Sequence, residues 1–116
     1  MNVTIWHNPR CSKSREALAL LDARGIAPDV RLYLQDPPSE DAIIGVLAAL
    51  GKPAIDLVRT GETLSREMGL SRETPENDLI AAMARHPILI ERPVVIADGR
   101  GALGRPPEAV LELFSG

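Results

Sequence analysis

The sequence predicts an α/β fold with a mixed sheet, laid out as β-α-β, a helical insert, then β-β-α. Three observations predict it. Two strand patterns flank one helix pattern within the first 34 residues. The middle of the chain, about 37–86, carries helix patterns and no strand pattern. Strand signals return only near the end, joined by Asp98-Gly99. At 116 residues there is room for one core, so a single domain over 1–116 is expected.

VTIW (Val3 to Trp6) reads as a short buried strand, ended by the turn-prone His7-Asn8-Pro9. From Ser12 the pattern turns helical, with Ala17, Leu18, Leu20 and Leu21 as its apolar face and Gly25 as its stop. Pro28 to Leu34 alternates as a second strand, and a crossover of this length implies a parallel pair. Ser39 caps a helix that runs through Leu50 and closes at Gly51. Pro53 starts a short helix through about Arg59, Thr63 to Met68 forms one more turn, and Pro75 to Arg85 another helix. Pro93 to Ala97 is the third strand, and Asp98-Gly99 turns it into a fourth at Gly101 to Leu103. Pro106 opens a final helix, PPEAVLELF. Without the insert, this is the order of a thioredoxin-like domain.

Composition is that of an ordinary globular chain, 45% hydrophobic and 25% charged. A net charge of −3 argues against nucleic acid as the main partner, which needs a basic face. The N-terminus lacks the pattern of a signal peptide, and no apolar run approaches the roughly 18 residues of a membrane span. The single cysteine rules out an internal disulfide and fits a reducing, cytoplasmic setting. Lys13 and Lys52 are the only lysines among thirteen basic residues. A GC-rich genome accounts for that bias; forked oxyanion contacts, which Lys cannot copy, are the second explanation.

Cys11 sits at the first strand-to-helix junction, in Trp6-His7-Asn8-Pro9-Arg10-Cys11-Ser12-Lys13-Ser14-Arg15. The first N–H groups of a helix have no partner inside it and carry the positive end of its dipole. They favour a thiolate and can cradle an oxyanion beside it. Arg10, Lys13 and Arg15 add positive charge, Ser14 is placed to donate a hydrogen bond to the sulfur, and His7 is a further donor. Three more arginines stand where a pocket could use them: Arg59, Arg92 before Pro93, and Arg105 before Pro106. In a thioredoxin-like sheet the turn into the third strand lies beside the first helix, so Arg92 is expected to face Cys11.

HNPRCSKSR, followed by ERPVV and GRPPE, resembles the ArsC-type, glutathione/glutaredoxin-dependent arsenate reductases, in particular their shorter ArsC-like subgroup. The likeness covers essentially the whole chain. It implies that Cys11 attacks arsenic, that Arg59, Arg92 and Arg105 hold the oxyanion, and that His7 supports activity. It also implies that Ser14 and Arg15 complete the cysteine loop, that Asn8 joins the substrate-binding set, and that Pro93 is the cis-proline of the fold. One departure is visible. Ser12-Lys13 stands where the plasmid-type enzymes tend to have Gly-Thr, and their C-terminal tail is missing.

The expected reaction is reduction of arsenate, or a similar oxyanion, through a cysteine–arsenate adduct. No cofactor or metal is expected to be bound. Glutathione serves as co-substrate and a glutaredoxin as partner, because no second cysteine is present to form an internal relay. A monomer is expected. A cysteine-type phosphatase is disfavoured because only three residues separate Cys11 from Arg15, too few to encircle a phosphate. An Spx-like regulator of RNA polymerase would commonly carry Cys-x-x-Cys, where this chain has Cys11-Ser12-Lys13-Ser14. A general glutathione-linked thiol reductase remains the other alternative.

Overall fold

The computed structural model describes residues 2–114. They fall into two compact units, one made of the chain up to Asp36 and from Arg92 onward, the other of Pro37–Glu91. The first unit contains β1 (Val3–Trp6), α1 (Ser12–Ala23), β2 (Asp29–Arg31), β3 (Val94–Ala97) and β4 (Arg100–Leu103), followed by a 3₁₀ segment, Pro107–Phe114. The sheet order is β2-β1-β3-β4. β1 lies parallel to β2 and antiparallel to β3, with Trp6 opposite Val94; β3 and β4 form a hairpin with Val94 opposite Leu103. Asp98 (φ 50) and Gly99 (φ 80) both adopt positive φ at the hairpin turn, the geometry whose twist matches two-residue hairpins.

The core of this unit follows from period. Val3 and Ile5 share one face of β1, Val95 and Ala97 one face of β3, and Ala17 and Leu21 one stripe of α1. Val110 and Leu113 of the 3₁₀ segment close it. Each fully buried aliphatic side chain of this kind contributes about 1.5–3 kcal/mol. α1 ends as its glycine requires: Gly25 takes φ +74, and the Gly25 and Ile26 N–H groups return to the carbonyls of Asp22 and Leu21.

Two expectations for this unit need correction. The second strand is Asp29–Arg31, not Pro28 to Leu34. The Gln35 and Asp36 N–H groups both donate to the Leu32 carbonyl, closing a turn, so the chain leaves the sheet after Arg31. The final helix is of 3₁₀ type and begins at Pro107 rather than Pro106, whose carbonyl accepts from Ala109 N–H and so precedes the first turn.

The second unit holds α2 (Glu40–Leu50), α3 (Thr63–Glu67) and α4 (Glu76–Arg85), with 3₁₀ segments at Ala54–Leu57 and Pro87–Leu89. Ser39 caps α2 by accepting from the Ala42 N–H at 3.1 Å, and Gly51 closes it at φ 65. Ile43 and Leu47 of α2 are buried, as are Leu79 and Met83 of α4. The helix expected from Pro53 to Arg59 shrinks to Ala54–Leu57. Beyond it the chain extends instead, with Val58 opposite Ile90 in an isolated antiparallel bridge. Arg59 N–H donates to Leu89 O and Glu91 N–H to Leu57 O, each at 2.7 Å. That bridge carries the unit past residue 86, to Glu91.

Candidate active site

Cys11 is the N-cap of α1, with extended backbone (φ −96, ψ 122) and a side chain that makes no cap bond. Its carbonyl accepts the first helical bond, from Arg15 N–H, and its own N–H donates to Asn8 O, both at 3.0 Å. The N–H groups of Ser12, Lys13 and Ser14 open the helix without i−4 partners inside it. Cys11 is partly exposed, and Arg10, Lys13 and Arg15 around it are exposed. Reachable sulfur, helix N-terminus and surrounding cations therefore coincide.

The loop before the helix is knitted from within. Ser14, fully buried, sits on the inner side of α1, and its Oγ lies 2.6 Å from His7 Nδ1 while accepting from Asn8 N–H at 3.1 Å. Asn8 Oδ1 accepts from Arg10 N–H at 3.0 Å, and Arg15 Nη1 donates to Pro9 O at 2.8 Å. Ser14 and Asn8 thus spend these polar groups on the loop itself. Burial pushes the His7 imidazole below its ordinary 6.5, and the nearby Arg15 guanidinium pushes the same way. His7 is accordingly a neutral imidazole at neutral pH.

Strand register decides what else gathers here. Trp6 faces Val94 and Val94 faces Leu103, so the chain leaving β1, the chain entering β3 and the chain leaving β4 all lie at one end of the sheet. That end carries Cys11, Arg92-Pro93 and Arg105-Pro106. Both Arg–Pro peptides are cis. Arg92 Nε is buried and has no hydrogen-bond partner, a donor with no protein acceptor. Arg105 is exposed. Arg59 belongs to the second unit, where its Nη1 meets Glu62 Oε2 at 2.7 Å and its Nε lies 3.5 Å from Glu91 Oε1.

Sequence reasoning missed three residues around these groups. Gly104 is needed for close approach: a Cβ there would sit 2.5 Å from Pro93 Cγ and 2.9 Å from its Cδ, and Gly104 N–H donates to Pro93 O at 2.9 Å. Its signal was present in GRPPE but pointed at the arginine. Glu62 was legible in principle as the i+3 partner of Arg59. Glu91 was not, because it meets Arg59 only through the bridge at Val58 and Ile90. Among the described residues no group of three or more His, Cys, Asp or Glu could hold a metal ion. No helix among them is long and apolar enough to cross a membrane.

A lone cysteine at the start of a helix, at the end of a mixed four-stranded sheet where β1 ends and β3 begins, defines a cysteine-centred protein of thioredoxin-like fold. The model of the ArsC family matches residues 6–113, and the chain belongs to that family. An arsenate reductase of Neisseria meningitidis is 46% identical over 110 residues, covering 93% of this chain and 94% of that protein. An arsenate reductase of Haemophilus influenzae is 42% identical over 116 residues, covering 98% of this chain and all of that one. The solved structure of the arsenate reductase from Vibrio cholerae superposes with a TM-score of 0.93 at 47% identity, covering 97% of each chain.

Proposed function

We propose that this protein reduces arsenate to arsenite, with Cys11 as nucleophile and glutathione with a glutaredoxin as electron source. The observation that carries the reading is Cys11 at the N-cap of α1, its side chain uncommitted to the helix it caps. The Cys11 thiolate attacks arsenic(V), a sulfur–arsenic bond forms, and hydroxide or water leaves. Arsenic then takes up two electrons, and two external thiols become one disulfide. One thiol reaches the adduct or Cys11 first and the second resolves the mixed species. With one cysteine in the sequence, neither reducing thiol comes from this chain.

Arg92 and Arg105 bind the oxyanion and offset the charge that builds during attack. The unpartnered Arg92 Nε supports this, since an oxyanion would supply the acceptor it lacks. Arg59 enters on the family resemblance. His7, neutral and bonded to Ser14, holds the loop in which Cys11 sits; Asn8 and Arg15 do the same through Arg10 and Pro9. A lone thiol of this kind persists in the reducing cytoplasm.

The test is NADPH consumption coupled through glutathione, glutathione reductase and glutaredoxin, comparing arsenate with a small disulfide substrate. The reading expects turnover with arsenate. Turnover with the disulfide alone would make the protein a general thiol reductase.

A further inference from the structure

Ser14 is fully buried, and among the described residues its hydroxyl oxygen has two hydrogen-bond neighbours, Asn8 N and His7 Nδ1. The two are not equivalent. Asn8 N–H, at 3.1 Å, can only donate, so it occupies a lone pair of Oγ. The hydroxyl still carries its own proton, and His7 Nδ1, at 2.6 Å, is the acceptor within reach. If Nδ1 held a proton, it would donate to the same oxygen, and the buried Ser14 proton would be left without an acceptor. Folded proteins seldom leave a buried polar group in that state. Proton counting therefore puts the hydroxyl proton between Oγ and Nδ1, and the ring proton on Nε2.

The backbone holds both ends of this contact. His7 N–H donates to Arg31 O at 2.9 Å, which fixes the residue where β1 runs beside β2, and Ser14 lies on the inner side of α1. Nε2 has no hydrogen-bond partner among the described residues. The imidazole borders a cavity of about 280 Å³ that Asn8, Pro9, Arg10, Leu34 and Gln35 also line. Protonating Nδ1 would turn two protons toward each other, so the contact and the lowered His7 pKa agree on a neutral ring.

We infer that Ser14 is a positioning residue for His7, holding the imidazole as the Nε2–H tautomer so that it serves the Cys11 loop as a hydrogen-bond donor and not as a base. This replaces the role expected from sequence, in which Ser14 donates to the sulfur, because its one proton is already committed to Nδ1. The functional half of the inference rests on the proposed reduction of arsenate; the tautomer does not. A donor suits that reaction, in which an anion is bound and a thiolate attacks.

Ring-nitrogen NMR on ¹⁵N-labelled protein at neutral pH tests the tautomer. His86→Gln removes the other imidazole of the chain, so the ring signals that remain belong to His7. The expected result is a proton on Nε2, none on Nδ1, and an Nδ1 signal that moves when Ser14→Ala removes the hydroxyl. A proton on Nδ1, or a signal indifferent to Ser14→Ala, overturns the inference. The protonation pattern is read without any change at Ser14, so it decides the tautomer even if Ser14→Ala fails to fold. Steady-state kinetics with arsenate test the positioning. Ser14→Ala should lower kcat/KM by about tenfold, a part of the roughly 10²-fold that a single donor supplies. Ser14→Thr keeps the hydroxyl and should recover most of it. In a His7→Gln background most of the Ser14→Ala loss should disappear, whereas a purely structural role costs the same in both. Wild-type kcat/KM in Ser14→Ala, or an undiminished loss in the His7→Gln background, overturns the positioning role while leaving the reaction in place. A wild-type protein inactive on arsenate overturns the functional reading and the functional half of this inference, while the ring signals still decide the tautomer.

Discussion

The loop that carries Cys11 and the turn that carries Arg59 are built from opposite materials. His7 to Arg15 is held by hydrogen bonds that involve no carboxylate: Ser14 on His7 and Asn8, Asn8 on Arg10, Arg15 on the Pro9 carbonyl. Every partner lies within seven residues of the other. Arg59 is held by charge, from Glu62 nearby and from Glu91 across the chain. A reactive sulfur is best presented by a rigid frame that adds no carboxylate beside it, and no acidic residue lies between His7 and Arg15. The Arg59 guanidinium has two carboxylates as its partners.

Arg92 sharpens the contrast, because its Nε is buried with nothing to hold it. If an oxyanion is its partner, Arg92→Ala should lose about 10²-fold in kcat/KM for arsenate, the scale on which a single donor to developing charge matters. Arg92→Lys should recover only part, since a fork becomes a point contact. Wild-type kcat/KM in the alanine variant would remove Arg92 from the site.

Gly104→Ala probes the frame itself. The new Cβ meets the ring of Pro93, which cannot swing aside, and overpacking of that kind costs about 1–3 kcal/mol. Urea denaturation should show that loss, and arsenate turnover should fall with it because Arg92 precedes Pro93. Unchanged stability would mean that the two segments separate more easily than their hydrogen bond suggests.

How much of this was legible beforehand depended on the range of the interaction. β1, α1 and the placement of Cys11 followed from one apolar run and one helix start. The Ser39 cap and the Asp98-Gly99 turn followed from local chemistry. The second strand misled because Val30, Leu32 and Leu34 look like one buried face, yet all three are exposed while Tyr33 is buried. The turn at Leu32 O, a backbone feature, reverses the pattern. Pro87–Leu89 and the Val58–Ile90 bridge left no periodic trace, so neither the end of the insert nor Glu91 as a partner could be read. Arg92 and Arg105 stood in motifs and Arg59 at the expected end of a helix in the insert, and their surroundings came only with the fold.

Ser14→Ala breaks the loop at its centre. It leaves the Asn8 N–H and His7 Nδ1 without that oxygen, and a buried group stripped of its partner costs about 1–3 kcal/mol. The expected result is that stability loss together with faster amide exchange at Asn8. A variant as stable as wild type would show that the loop is held by Arg15 and Asn8 alone.

The smallest effect concerns pH. Because the folded His7 lies below its ordinary 6.5, the unfolded chain takes up a proton there that the folded chain resists. Its contribution to stability is therefore complete above 6.5 and is lost as pH falls from there through the folded value. Urea melts between pH 8 and 5 should show His7→Gln flatter over the acidic part than wild type. Parallel profiles would mean that His7 does not carry the acid dependence.

In the proposed reaction Cys11 takes the arsenic and an external thiol finishes the reduction. Intact-mass analysis after incubation with arsenate and glutathione, with glutaredoxin withheld, tests it most directly. The expected result is a species heavier by one glutathione joined to the protein, absent from Cys11→Ser and released when glutaredoxin is added. Sustained arsenate reduction by Cys11→Ser, with no glutathione adduct in the wild-type protein, would contradict it.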